Sequence, residues 1–273
     1  MALRVIETRR LQDGTIRYIL QDSQERFWHG VTRLTTKQIK TIDPATLQKT
    51  PIDARELYIP YIPSRMTRWR GDPEAPPAHV FIKKIRLMLH DEFLRDELQN
   101  SKDCASREIR CGELLKRHPH PNICAYRGVV TNASDLVVGI AYQRYECSID
   151  VLIQNVASFN APLVVSSIEK AVYHMHRYGL VHCDVHPRNI FFTRGKEGRP
   201  DQVVLGDFDA AHVVRERLCD KCGSEDYFPS TYTWHTPVAT DIDLYSVRML
   251  RKKLCVGGQS SDPWDKSVLI SPY

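Results

Sequence analysis

Apolar and polar positions fall into short strand-like runs in the first half of the chain and shift to helical spacing in the second, with the join near Glu146. Residues 3–11 and 15–21 flank Asp13-Gly14, and a glycine there supplies the positive φ that tight hairpins need, so a β-hairpin is predicted. Residues 35–63 mix helix-compatible pieces with prolines that break them, and 71–77 (GDPEAPP) is a loop by composition. Residues 78–85 (AHVFIKKI) form an apolar run with a lysine at its end, which reads as a strand. Helical spacing returns over 103–116 through Ala105, Ile109, Gly112 and Leu115, and stops at His118-Pro119-His120-Pro121. Two β-rich runs follow, 123–130 and 135–142, joined by a short polar turn. Residues 161–178 place Leu163, Val164, Ile168, Ala171, Val172 and Met175 on one face of a helix that ends at Gly179. Short strand-like pieces at 180–185, 190–192 and 203–206 come next, then a last helix over 241–253.

Composition narrows the class. With 42% hydrophobic and 26% charged residues among 273, the chain lies within globular usage and outside disordered, collagen-like and coiled-coil sequences. Apolar runs such as 136–142 (LVVGIAY) fall far short of the roughly 18 to 20 residues a membrane-spanning helix needs. Arg4, Glu7, Arg9 and Arg10 interrupt any secretory signal. A soluble cytoplasmic protein is expected, with the nucleus left open and no membrane partner. The net charge of +5 is spread along the chain, so no nucleic-acid partner is expected. Eight cysteines without a signal peptide read as reduced thiols. Cys219-x-x-Cys222 lacks the second pair that a four-ligand zinc site requires, so free thiols are expected there.

The chemistry concentrates in two stretches. His182-Cys183-Asp184-Val185-His186-Pro187-Arg188-Asn189 sets an aspartate and an asparagine five residues apart, and Leu205-Gly206-Asp207-Phe208-Asp209 follows with Asp207 23 residues beyond Asp184. In these residues the chain resembles the eukaryotic protein kinase family, whose catalytic loop reads H-R-D-x-x-x-x-N and whose metal motif reads D-F-G. The resemblance extends to Val80-Phe81-Ile82-Lys83, which is similar to V-A-I-K, to His120-Pro121-Asn122-Ile123, and to Asp243-Leu244-Tyr245-Ser246-Val247, which is similar to D-x-W-S-x-G. It runs from about Val80 to Leu254. The repeated His-Pro and the Asp-Phe-Asp are similar to a divergent group of fungal kinase-like proteins.

The resemblance implies ATP and Mg²⁺ as cofactors, a nucleotide and a protein substrate as partners, and a role for each matched residue. Asp184 would meet the acceptor hydroxyl, Asn189 and Asp207 would hold Mg²⁺ through hard oxygen ligands, and Lys83 would take the α- and β-phosphates. Glu108 is the helix carboxylate expected to pair with Lys83, Glu113 being the other acid on that helix. His182 is expected to orient the loop, and His118 and His120 to lie in a solvent-facing turn.

The implied fold is a two-lobed α+β, protein-kinase-like one, with a small β-rich N-lobe, a shortened helical C-lobe and a hinge within 141–147. Residues 1–78 would be a divergent segment contributing to or preceding the N-lobe, 79–145 the N-lobe, and 146–273 a C-lobe truncated after the Asp243 helix. Several positions depart from the pattern. No G-x-G-x-x-G precedes Lys83, Cys183 stands for the loop arginine, His186-Pro187 for lysine-proline, Asp209 for the D-F-G glycine, and no A-P-E occurs between Asp209 and Asp243. The expected function is ATP- and Mg²⁺-dependent phosphoryl transfer to protein Ser or Thr hydroxyls. The alternatives are a catalytically weak or inactive nucleotide-binding scaffold and a small-molecule phosphotransferase of the aminoglycoside or choline type.

Overall fold

The structure, a computed structural model, describes residues 3–11, 13–85, 94–155, 159–194, 200–218 and 223–254. The chain opens with β1 (Leu3–Arg10), β2 (Ile16–Asp22) and β3 (Phe27–Thr32), followed by α1 (Thr36–Thr41), β4 (Thr50–Ile52), α2 (Ala54–Leu57) and β5 (Ile59–Pro60). The predicted hairpin is β1 and β2, paired antiparallel around Gly14 at φ 81°. Its sheet is wider than the sequence suggested, with strand order β1-β2-β3-β4. Strand β2 alternates between two cores: Ile16, Tyr18 and Leu20 pack with Ile39 and Leu47, whereas Ile19 packs with Phe27, Ile52, Leu57, Tyr58 and Leu136.

A second sheet supports the cleft. Strand β6 (Val80–Lys84), helix α3 (Leu94–Arg117), β7 (Tyr126–Thr131) and β8 (Leu136–Gln143) follow in order. Strand β8 is its centre, pairing antiparallel with β5, β6 and β7. Helix α3 starts nine residues before the predicted 103 and lays Ile109, Cys111 and Leu115 against Val129, Ile140 and Tyr142. Between β7 and β8, Asn132 accepts the amides of Ser134 and Leu136, which closes the predicted hairpin.

The second half is helical. It comprises β9 (Cys147–Ser148), α4 (Ile149–Gln154), α5 (Ala161–Arg177), β10 (Leu180–Val181), β11 (Ile190–Arg194), β12 (Pro200–Leu205), β13 (His212–Val213) and α6 (Asp241–Leu254). Asn160 caps α5 by accepting the Leu163 amide at 3.0 Å, and Pro162 sits in its first turn. Val164, Ile168, Ala171, Val172 and Met175 of α5 are buried in the main core. The helix ends at Arg177, and Gly179 just beyond it takes the left-handed φ of 70° that lets the chain turn into β10.

Two expectations need comment. His118 and His120 do not face solvent freely: the turn lies against α5, so His118 stacks on Tyr178 with centroids 4.1 Å apart and His120 on His174 at 4.7 Å. The pair Cys219 and Cys222 lies outside the described residues. Among the described residues, no helix is long and apolar enough to cross a membrane.

Candidate active site

A cavity of about 690 Å³ opens between the β6–β8 sheet, α3 and the turn at Asp207, lined by residues that include Phe81, Lys83, Glu108, Tyr145 and Phe191. Pairing of β6 with β8 sets Lys83 opposite Ile140. From there the Lys83 ammonium reaches α3, where it donates to both Glu108 oxygens at 3.0 Å. It also contacts the Asp207 carboxylate, and Asp209 Oδ2 at 3.1 Å. The neighbouring Lys84 is exposed and lines the cavity without joining this cluster. Glu113, the other acid of α3, is turned elsewhere, accepting from the Thr67 amide and hydroxyl and from the Tyr126 hydroxyl.

Asp207 adopts a left-handed backbone at φ 63°, which aspartate tolerates better than most residues. The 3₁₀ turn that follows buries Phe208 beside Tyr142 and His182, and leaves the carboxylates of Asp207 and Asp209 facing the same ammonium. Tyr142 adds a hydrogen bond from its hydroxyl to Glu108 Oε1 at 2.9 Å.

The loop after β10 forms the second half of the site. Asp184 accepts from the Ser224 amide at 3.0 Å through Oδ1, and from Asn189 Nδ2 at 3.0 Å and His186 Nε2 at 3.3 Å through Oδ2. Asn189 Nδ2 also donates to the Asp184 carbonyl, and the Asn189 carbonyl accepts the Gly206 amide at 2.9 Å. His182 is buried, with one ring nitrogen 3.0 Å from the Gly206 carbonyl oxygen and the other accepting the Asp184 amide. These bonds tie the Asp184 loop to the Asp207 turn. From below, the buried Asp243 carboxylate accepts hydrogen bonds from the amides of His182 and Cys183 and from His176 Nε2, beside Cys183 at φ 61°.

Charge follows from these contacts. Burial alone would lower the Lys83 ammonium, but Glu108, Asp207 and Asp209 together hold it above its ordinary value. Burial pushes Glu108 up, and the carboxylates of Asp209 and Asp207 reinforce the shift against the pull of Lys83. Burial also works to raise Asp184, yet the hydrogen bond and charge of His186, the charge of His182 and the Ser224 amide leave it below the usual carboxylate value. Asp184 therefore stays ionised at neutral pH.

Of the residues singled out in the sequence, Lys83, Glu108 and Asp207 converge on one ammonium, and Asp184 and Asn189 converge on each other. Asp209, Tyr142 and Ser224 were not singled out. One carboxylate oxygen from each of Glu108, Asp207 and Asp209 lies within 4.8 Å of the others. Three carboxylates against one ammonium leave a formal surplus of two negative charges, and all the donors are hard oxygens. That set fits Mg²⁺.

A family model described as a protein kinase domain matches residues 82–264, and the chain belongs to that family. Curated relatives include serine/threonine-protein kinase DCLK3 of Mus musculus, 23% identical over 165 residues that make up 60% of this chain and 20% of that protein. Serine/threonine-protein kinase PkaB of Streptomyces coelicolor is 24% identical over 201 residues, 70% of this chain and 45% of that protein. The chain thus spans a fifth to less than half of the length of these relatives. Among solved structures, a chain of the yeast RNA Pol II CTD kinase CTDK-1 complex gives a TM-score of 0.47 at 17% identity, covering 63% of this chain and 53% of that one.

Proposed function

We propose that the chain transfers the γ-phosphoryl group of ATP to a serine or threonine hydroxyl of a protein, with Mg²⁺ as cofactor. Phosphoryl transfer asks a protein to position groups and neutralise charge rather than to form bonds of its own. Lys83, braced by Glu108, binds the α- and β-phosphates. Asp207 and the Oδ1 of Asn189, whose Nδ2 is engaged by Asp184, would hold the cation. Mg²⁺, when bound, supplies charge neutralisation at the phosphate oxygens. Asp184 orients the acceptor hydroxyl and takes its proton, for which its depressed value keeps it ionised.

Adenine would lie against Phe81 and the hinge. The amides of Gln143, Arg144 and Glu146 already donate to the carbonyls of Ala125, His79 and Phe192, so base recognition falls to the backbone of Tyr145. On this reading the chain divides into a segment 1–78, an N-lobe 79–145 and a C-lobe 146–273. The observation that carries the proposal is the joining of the Lys83–Glu108–Asp207 cluster to the Asp184–Asn189 pair through Gly206 and His182.

The test is labelling of peptide pools with Mg²⁺-ATP by the wild-type chain and by Asp184→Asn. Transfer lost in the variant, with its thermal unfolding unchanged, supports the reading; equal labelling by both overturns it. A second reading, a nucleotide-binding scaffold, has two observations in its favour. The Ser224 amide occupies Asp184 Oδ1, and no strand with a glycine hairpin precedes β6 between residues 61 and 79. ATP binding without turnover would favour it.

A further inference from the structure

His186 is buried in the loop between β10 and β11, and both nitrogens of its ring are engaged. Its Nδ1 accepts the Arg188 amide at 3.3 Å and so caps the 3₁₀ turn Pro187–Asn189. A backbone amide can only donate, so Nδ1 carries no proton and the ring N–H is at Nε2. That N–H meets Asp184 Oδ2, 3.3 Å away. The capped turn also carries Asn189, whose Nδ2 donates to the same oxygen at 3.0 Å and to the Asp184 carbonyl at 2.9 Å. Pro187, with its fixed φ, opens the turn, so both donors leave one short, stiff piece of backbone. The Tyr227 ring packs beside His186, with centroids 6.2 Å apart.

A carboxylate oxygen has two lone pairs. At Asp184 Oδ2 both are taken, by His186 and Asn189, whereas at Oδ1 the Ser224 amide is the one donor among the described residues. The carboxylate is thereby clamped on its Oδ2 side and open on its Oδ1 side. Burial pushes Asp184 up, and the hydrogen bond from His186 is foremost among the contacts that hold it low. A lysine at this position, as in the family pattern, has three N–H bonds on a flexible stem. The histidine has one at Nε2, and Asp184 takes it.

We infer that His186 is a positioning residue: it locks Asp184 Oδ2 to the turn and so assigns the acceptor hydroxyl to Oδ1. The inference rests on the phosphotransferase reading and deepens it. In the transfer the acceptor oxygen bonds to the γ-phosphorus, the bond from that phosphorus to the bridging oxygen breaks to release ADP, and the hydroxyl proton passes to Oδ1. His186 acts through Asp184, by restricting rotation of the carboxylate. A carboxylate that turns freely faces the acceptor for only part of the time, which slows the chemical step without loosening either substrate.

Substitution separates the two contacts of the ring. His186→Asn keeps an acceptor for the Arg188 amide but is too short to reach Asp184, whereas His186→Gln extends an amide donor to about the place of Nε2. The experiment is steady-state transfer from Mg²⁺-ATP to the peptide that wild type labels best, by the full chain and both variants, with thermal unfolding of each. His186→Asn is expected to lower kcat about tenfold or more with KM for ATP and peptide unchanged, and His186→Gln to recover kcat to within about threefold of wild type. His186→Ser, which caps in the same way, stands in should His186→Asn not fold. An unchanged kcat in the capping variant, a loss carried by KM, or equal falls in kcat for the capping and glutamine variants overturns the inference and leaves the phosphotransferase reading standing. No transfer by wild type removes both.

Discussion

The Tyr142 hydroxyl and the Lys83 ammonium share one acceptor, Glu108 Oε1, at 2.9 and 3.0 Å. Two strands and a helix are thereby joined at a single buried carboxylate. Removing the hydroxyl with Tyr142→Phe keeps the ring in its contacts with Tyr126 and Phe208 but deprives that carboxylate of a donor. The expected cost is about 1–3 kcal/mol of unfolding free energy, read from urea denaturation. A cost close to zero would mean that Lys83 alone satisfies Glu108.

Asp243 should be far less tolerant. Asp243→Ala would strand the amides of His182 and Cys183 and the ring of His176 in the core. A loss of about 3–5 kcal/mol is expected, with Asp243→Asn milder because one oxygen still accepts. Denaturation of the two variants side by side provides the check, and equal losses would contradict the assignment.

Arg110 of α3 donates to Glu216 across to the segment after Asp209, at 2.8 and 3.0 Å, and Glu216 also accepts the Val213 amide. Both side chains are partly exposed. Glu216→Gln should therefore cost no more than about 1 kcal/mol, and the difference from wild type should shrink as salt is raised. A larger loss, insensitive to salt, would show that the contact is structural rather than electrostatic.

Legibility differed by residue. Lys83, Asp184, Asn189 and Asp207 could be picked out because the kinase pattern sets particular side chains at particular spacings, and the structure brings Lys83 to Asp207 and Asn189 to Asp184. The choice of Glu108 over Glu113 could not come from spacing, since both lie on one helix; it was settled by Tyr126 and Thr67 engaging Glu113. Asp209 was read only as standing in place of the pattern's glycine, because the lysine it meets lies 126 residues away. Strands β3 and β4 escaped notice for local reasons: Phe27–Thr32 shows no clean alternation and β4 contains Pro51. The turn at His118 looked solvent-facing because nothing local announces that α5 will lie beneath it.

Acid should destabilise the fold through histidines held neutral. Burial lowers His29, His120 and His212 from the ordinary histidine value. Arg17 reinforces the shift at His29 against Glu56, His174 and Lys170 reinforce it at His120, and Arg107 and Arg110 contribute at His212 against Glu216 and the Ala210 carbonyl. The unfolded chain protonates these rings near pH 6.5, the folded chain only below it, so their contribution is present above about pH 6.5 and is lost as pH falls through the folded values. The Tm is expected to drop between pH 7 and 5, and His120→Asn to flatten part of the slope. A Tm that rises on acidification would contradict the sign.

Leu136 begins the strand that leads to the hinge, and it is buried by Ile19, Phe27, Ile52, Leu57 and Tyr58, all of which lie ahead of the residues matched by the family model. Trimming the chain to the matched stretch would strip the apolar lagging from one end of that strand and invite self-association. The portion ahead of the matched residues is thus part of what buries the central strand of the sheet that walls the cleft, and selection for that sheet would extend to it.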